Sequence, residues 1–243
     1  MSLFADAIAW LTSPEQWDGS SSSIPVLMGL HLLYTLLSML AASAIAIPIG
    51  WAIGHTGRGR EVAVAFAGAA RALPSLGLLT FLVLLLGVLQ KPLSAVIVLV
   101  VLAVPSILAG AYAGVQAVDR RTVDAARAMG MTGRQVLWRV EVPLGLPLLI
   151  GGLRGGMLQV VSTVAISAYI GLPNLGTYLI KGQRLGDYAQ MLGGALLIVV
   201  LALLLDAALA LTQRLAVPRG VVVARSGTNR NSRRAAGAVG SVG

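Results

Sequence analysis

Uncharged apolar runs, each long enough to cross a lipid bilayer, are the dominant feature of this sequence. Residues 25–53 and residues 92–118 contain no Asp, Glu, Lys or Arg. About 20 apolar residues in a helix cross the hydrocarbon core of a bilayer, and in lipid the backbone must satisfy its own hydrogen bonds. Runs of this length therefore predict membrane-spanning helices.

Five such spans fit the chain and predict an all-α, polytopic membrane protein. Hydrophobic residues make up 57% of the 243 residues and charged residues only 11%, which is too little polar surface for a water-soluble domain. The transmembrane domain covers residues 24–217, with residues 1–23 before it and a tail, residues 218–243, after it. The predicted spans are residues 25–53, 62–89, 92–118, 146–172 and 188–213.

The arginines fall on one side of the predicted bundle. The turn after span one, the 119–145 loop between spans three and four, and the tail are rich in arginine, whereas the other side receives Lys91, Lys181 and Arg184. Because Lys and Arg concentrate in cytoplasmic loops, the N-terminus is predicted outside and the C-terminus in the cytoplasm. The net charge of +9 then reflects membrane topology and predicts no nucleic-acid partner.

The two ends of the chain differ from the spans. The first segment lacks the basic start of a secretory signal and carries Asp6 and Glu15. Phe4, Ile8 and Trp10 predict a short helix whose apolar side lies at the outer membrane surface. The tail consists mainly of Gly, Ala, Ser, Asn and Arg, so it is predicted to be disordered.

The 119–145 loop carries the start and stop signals of two short helices. Asp119 is placed to cap the first helix, and Gly130 to supply the left-handed residue that ends it. Thr132 and Gln135 have the spacing of a capping box, which starts a second helix. We therefore predict a helical hairpin on the cytoplasmic side.

The second helix of this loop is amphipathic. Val136, Leu137 and Val140 share one face, and Pro143 and Pro147 are expected to stop the helix before span four. On periodicity alone, the hairpin could equally lie against lipid headgroups.

The same loop resembles the EAA loop of membrane subunits of binding-protein-dependent ABC importers. That family's pattern reads E-A-A, three residues, G, nine residues and I-x-L-P. This sequence has Asp124-Ala125-Ala126, Gly130 and Val140-Glu141-Val142-Pro143 at the same spacing. The departures are Asp for Glu, Val for Ile and Val for Leu.

The resemblance implies a transport subunit in the plasma membrane of a prokaryote. Its partners would be a cytoplasmic ATPase that holds ATP and Mg, an extracytoplasmic solute-binding protein and a second permease subunit, identical or paralogous. In the family this loop docks into a groove of the ATPase. The residues implied in that coupling are Asp124, Ala125, Ala126, Gly130, Val140, Val142 and Pro143.

A finer resemblance concerns the transported solute. Residues 70–87, residues 118–154 and the segment around Asp206 are similar to permeases for glycine betaine, carnitine, choline and related osmoprotectants such as proline betaine. Two alternatives stay open. One is an importer of methionine or another small solute, and the other is a structural or enzymatic membrane protein.

The sequence lacks the motifs of an enzyme. It has no GxxxxGK[ST] phosphate loop, no HExxH, no GxSxG and no cysteine. We therefore expect no catalytic residue, no metal site and no cofactor bound by this chain itself. His31 is expected on a helix face and His55 in a loop.

Polar and helix-breaking residues within the spans mark a candidate passage or gate. Pro74 would kink span two, either to line a passage or for packing. The hydroxyls of span four have the same two interpretations, and the glycine-rich outer segment after it is either a gate, a receptor contact or a passive loop. The candidate residues are Pro74, Ser75, Ser162, Thr163, Ser167, Gly171, Asn174 and Gly176.

An acidic residue within span five and the scatter of the aromatic residues also bear on the transport mechanism. Asp206 is costly in lipid, and either a packing hydrogen bond with interfacial hydration or a proton-coupling role would explain it. Aromatic residues, which would cage a quaternary ammonium by cation–π attraction, make up 5% of the chain and are scattered. This scatter predicts that the high-affinity solute site belongs to the external receptor.

Overall fold

The computed structural model describes residues 2–216, and the regular secondary structure within them is helical. The predicted tail, residues 218–243, lies outside the described residues. The helices are α1 (Leu3–Thr12), α2 (Ile24–Thr56), α3 (Arg60–Ala72), α4 (Ser75–Leu86), α5 (Lys91–Gln116), α6 (Arg120–Ala128), α7 (Gly133–Val136), α8 (Val142–Val164), α9 (Gly176–Leu185) and α10 (Tyr188–Ala216).

Four continuous helical stretches are long and apolar enough to cross a membrane. They are Ile24–Thr56, Val88–Gln116, Gly133–Ile170 and Tyr188–Leu215. They correspond to predicted spans one, three, four and five, so the prediction of a polytopic all-α membrane protein is confirmed.

Predicted span two is a pair of helices and not one kinked rod. The axes of α3 and α4 differ by 89°. With 13 and 12 residues, each helix is roughly 18–20 Å long, which is shorter than the hydrocarbon core of about 30 Å. The break falls at Leu73 and Pro74, both in extended backbone, because a proline disfavours helical geometry in the residue before it.

Glycines bring α2, α5 and α8 into close contact at the centre of the bundle. A Cβ atom on Gly50 of α2 would lie 2.4 Å from the Cβ of Ala111. On α8, a Cβ on Gly152 would lie 2.8 Å from the Cα of Gly110. Helices in lipid associate mainly through such close packing, since lipid tails are as apolar as leucine.

Helix α1 packs near the start of α10. The Trp10 ring meets the Tyr178 ring edge-on at 4.9 Å, and Gly193 of α10 leaves room for it. Phe4 and Ile8, predicted to share an apolar side with Trp10, are exposed. The phenol of Tyr178 also donates a 2.6 Å hydrogen bond to the Ser22 carbonyl, so α9 fixes the segment that leads into α2.

Candidate coupling loop and passage

The first half of the 119–145 loop has the predicted caps. The Asp119 carboxylate accepts a 2.9 Å hydrogen bond from the Arg121 amide at the start of α6. After α6, Gly130 has φ of +87°, in the left-handed region that residues with a Cβ rarely adopt. Gly130 therefore provides the predicted left-handed exit from α6.

A small hydrophobic core of its own holds the loop together. Val118, Val123, Ala126 and Val136 are buried against one another, with Met131 and Val140 packed on them. Ala126 is only 3% exposed. Among the predicted coupling residues, Ala126 therefore supports the loop from inside, whereas Asp124 and Ala125 point outward.

The second half of the loop is continuous with α8. The capping box is present: the Thr132 amide donates to Gln135 Oε1 at 2.8 Å, and the Gln135 amide donates to the Thr132 hydroxyl. One α-helical turn, α7, is followed by a π-helical turn over Leu137–Glu141 and then by α8.

The expectation that Pro143 and Pro147 stop the second helix is wrong. Pro143 is the second residue of α8, a position where the missing N–H is tolerated, and the wider π turn precedes it. Pro147 lies inside α8. The second half of the loop and span four thus form one continuous helical stretch from Gly133 to Ile170, which we call the lever.

His55 and Glu141 were not predicted to interact. His55 lies in the last turn of α2, not in a loop, and its Nδ1 donates to Glu141 Oε2 at 2.5 Å. Glu141 is only 6% exposed, although glutamate side chains are usually at the surface. No local sequence pattern signals this pair, because 86 positions separate the two residues.

A polar cavity of about 380 Å³ lies beside this pair. The lining includes basic side chains from three elements, α2, α3 and α6. The arginines of the 119–145 loop are all exposed, so the outer surface of the loop is strongly basic. The lining residues include His55, Arg60, Arg127 and Glu141.

Some of the candidate passage residues come together between α4 and α8. Ser75, Thr163 and Ser167 line one narrow cavity of about 10 Å³, enough for a single water molecule. Ser162 is exposed and donates to the Leu158 carbonyl, and Pro74 is exposed at the α3–α4 break.

The segment after span four forms a buried hydrogen-bonded turn. Asn174 is fully buried; its amide group donates to the Ser167 hydroxyl at 3.0 Å and to the Leu172 carbonyl, and its oxygen accepts from the Gly176 amide at 2.7 Å. A side chain on Gly176 would place its Cβ 2.2 Å from the Ala165 carbonyl oxygen. Gly171 has φ of +76°. Together, Gly171, Asn174 and Gly176 fix the path of the chain into the first turn of α9.

His31 lies on a buried face of α2, as expected. Its Nε2 donates to the Val161 carbonyl of α8 at 3.0 Å. Among the described residues there is no cluster of three His, Cys, Asp or Glu side chains able to hold a metal ion.

Arg154 and Asp206 form a second long-range pair within the spans. The guanidinium binds both carboxylate oxygens, at 2.8 and 2.7 Å, and also donates to Gln213. Gln213 in turn donates to the Pro147 carbonyl at 2.8 Å. Because both oxygens of Asp206 are engaged, a packing role explains it better than proton coupling.

The fold is similar to that of chains from ABC transporters of known structure. A chain of the inward-facing MetNI methionine ABC transporter aligns with a TM-score of 0.69 at 22% identity, over 78% of this chain and 94% of that one. A chain of an amino acid ABC transporter solved with histidines aligns with a TM-score of 0.62 at 20% identity, over 87% of this chain and 97% of that one. At these identities the likeness is one of fold.

Sequence comparison gives the family. The model described as "Binding-protein-dependent transport system inner membrane component" matches residues 23–220. The chain belongs to this family and is a component of a membrane transport system.

Similar curated proteins carry transport names. The glycine betaine/carnitine/choline transport system permease protein OpuCB of Bacillus subtilis is 31% identical over 193 residues, covering 79% of this chain and 88% of that protein. The choline transport system permease protein OpuBB of the same organism is 28% identical, over 79% of this chain and 87% of that protein. The glycine betaine/proline betaine transport system permease protein ProW of Escherichia coli is 28% identical, over 72% of this chain and 49% of that protein.

Proposed function

We propose that this chain is the membrane permease subunit of an ATP-driven importer of quaternary-ammonium compatible solutes, such as glycine betaine, carnitine, choline and proline betaine. The observation that carries the proposal is the 31% identity over most of the chain with a glycine betaine/carnitine/choline permease. The other two relatives also carry names of this solute class.

In this proposal the 119–145 loop receives force from an ATPase subunit. Asp124 and Ala125 point outward on α6, where a partner can reach them, and the inner core fixes the shape of the loop. The sequence has no phosphate-binding loop, so ATP and Mg would be held by the partner. Rotation of the Gly133–Ile170 lever would then switch access between the two membrane sides.

A second permease subunit would complete the passage. The narrow cavity lined by Ser75, Thr163 and Ser167 is too small for a solute molecule, so a passage of useful width would form against another subunit. The α3–α4 break and the Asn174 turn are the candidate gate elements. The glycine betaine site of high affinity would belong to an external receptor, since the aromatic residues needed for a cage are scattered.

The orientation follows the charge distribution. Arg58, Arg60 and the basic 119–145 loop would face the cytoplasm, in the prokaryotic plasma membrane, and the N-terminal segment would lie outside. In this orientation the loop would lie where a cytoplasmic ATPase can dock.

Uptake competition tests the proposed solute class. The chain, with its ATPase and receptor subunits, is reconstituted in proteoliposomes, and uptake of labelled glycine betaine is measured against excess carnitine, choline or methionine. We expect carnitine or choline to compete and methionine to have no effect. Competition by methionine alone, or no uptake of glycine betaine, would contradict the proposal.

A further inference from the structure

His55 and Glu141 connect the end of α2 directly to the junction of the 119–145 loop with α8. Besides the 2.5 Å hydrogen bond to Glu141, the imidazole faces the start of α7, because a Cβ on Gly133 would lie 3.5 Å from His55 Nε2. The ring is therefore held between the two ends of the segment Gly133–Glu141. This segment is the one that joins the loop to span four.

The π turn over Leu137–Glu141 is the place where this lever would bend. A π turn interrupts the regular hydrogen-bond ladder of an α-helix and is a common cause of kinks. Glu141 is its last residue. A force applied to α6 and α7 would be absorbed by bending at this turn unless another contact braced it.

The interface between the end of α2 and the 119–145 loop is only partly filled. The cavity of about 380 Å³ lies between the end of α2 and the loop, and His55 and Glu141 are both in its wall. Two direct contacts cross this partly hollow interface: the His55–Glu141 hydrogen bond, and the edge-on contact between Trp51 of α2 and Trp138 of the π turn, whose ring centroids lie 5.2 Å apart. The hydrogen bond is the link that holds Glu141, the last residue of the turn. A buried carboxyl that loses its hydrogen-bonding partner is costly, so the link resists separation.

Next to His55, α2 packs tightly against α5. A Cβ on Gly54, the residue before His55, would lie 2.6 Å from the Cβ of Val115 on α5. A Cβ on Gly50 would lie 2.4 Å from the Cβ of Ala111. Helices α2 and α5 are thus in contact at backbone distance near their ends. A displacement that reaches His55 is shared by both helices.

We propose that His55 and Glu141 are positioning residues that brace the π turn and pass displacement of the 119–145 loop into α2 and α5. The inference rests on the proposed function, because the displacement is the one that the ATPase imposes. Displacement of the loop would then reach the spans in two ways, directly through α8 and through the His55–Glu141 pair into α2 and α5.

Uptake per ATP hydrolysed is the quantity that tests this inference. The complete transporter is reconstituted with His55→Ala or with Glu141→Ala. Since the pair does not lie on the outward surface of α6, we expect the His55→Ala complex to keep its ATPase subunit and its basal ATP hydrolysis. Uptake per ATP should fall about tenfold, at the upper end of coupling changes caused by single residues. Glu61→Gln, which removes an exposed carboxylate on the first turn of α3, is the matched control and should keep the wild-type ratio.

Chemical bridging distinguishes bracing from a general need for folding. The chain has no cysteine, so His55→Cys combined with Glu141→Cys offers a unique pair for a short bifunctional thiol reagent. We expect low uptake per ATP before bridging and recovery after it. A wild-type ratio in His55→Ala, or no recovery on bridging, would overturn the inference. Absence of ATP-driven uptake by the wild-type complex would instead overturn the proposed function and this inference with it.

Discussion

Arg154 on α8 and Asp206 on α10 are joined by two parallel hydrogen bonds, with Gln213 as a third member that reaches back to the Pro147 carbonyl. The pair fastens α10, the last described helix, to the Gly133–Ile170 lever. Charged side chains in membrane helices are rare because each is costly when unpaired.

Removing one partner of this pair should destabilise the protein. Arg154→Gln leaves Asp206 without its counter-charge, and Asp206→Asn does the same to Arg154. We expect each variant to lower the thermal midpoint in detergent and the yield of folded protein. The double variant Arg154→Leu with Asp206→Leu should recover most of the loss, because two apolar side chains replace an ion pair at little cost in such surroundings. Single variants as stable as the wild type would contradict this role.

Neighbouring glycines on α8 should respond differently to the same substitution. A side chain on Gly152 would place its Cβ 2.6 Å from the Ser106 carbonyl oxygen, whereas Gly151 has no neighbouring atom within 4 Å. Gly152→Val should therefore destabilise the bundle by about 1–3 kcal/mol or more, since backbone cannot move aside as a flexible side chain can. Gly151→Val, the matched control, should have a near wild-type thermal midpoint. Equal midpoints for the two variants would contradict the close packing of α5 and α8.

Substitutions at two adjacent alanines should separate ATPase docking from folding of the 119–145 loop. Ala125 is exposed and Ala126 is buried in the core of the loop. Ala125→Arg should abolish co-purification with the ATPase and uptake while leaving the thermal midpoint unchanged. Ala126→Arg should lose uptake as well, but with accelerated proteolysis within residues 119–145, because the core has no space for the larger side chain. Normal ATPase binding by Ala125→Arg would count against a docking surface on α6.

The hydrogen bond from Tyr178 to Ser22 should make stability sensitive to strongly alkaline pH. Burial, with a smaller contribution from the charge of Asp18, raises the pKa of Tyr178 from 10.0 to about 12. The folded state thus favours the neutral phenol, so this contribution is fully present below pH 10 and is lost as the pH rises through about 12. Thermal midpoints across this range should fall less steeply for Tyr178→Phe than for the wild type. Parallel pH profiles for the two proteins would contradict the prediction.

The spans and the caps of the 119–145 loop could be predicted because their signals are local. A long apolar run defines a span, and Asp119, Gly130 and the Thr132–Gln135 box each act within one turn of the backbone. The 89° break at Pro74 was predicted in position but not in size, since the angle depends on how α3 and α4 pack against α5.

The side-chain pairs that hold the bundle together could not be predicted. His55 and Glu141 are 86 positions apart, and Arg154 and Asp206 are 52 apart, so no short pattern connects them. The burial of Ala126 likewise depends on the return of Val136 after the Gly130 turn. The continuity of the helix through Pro143 escaped prediction because the π turn accommodates a residue that would usually end a helix.

In the proposed function, nucleotide hydrolysis acts through the 119–145 loop to drive solute movement. The most direct measurement is the internal concentration of labelled glycine betaine in proteoliposomes that contain this chain, its ATPase and its receptor. We predict accumulation above the external concentration with ATP, and none with a non-hydrolysable ATP analogue or with Ala125→Arg. Equal accumulation without hydrolysis, or by this chain in the absence of the ATPase, would contradict the account.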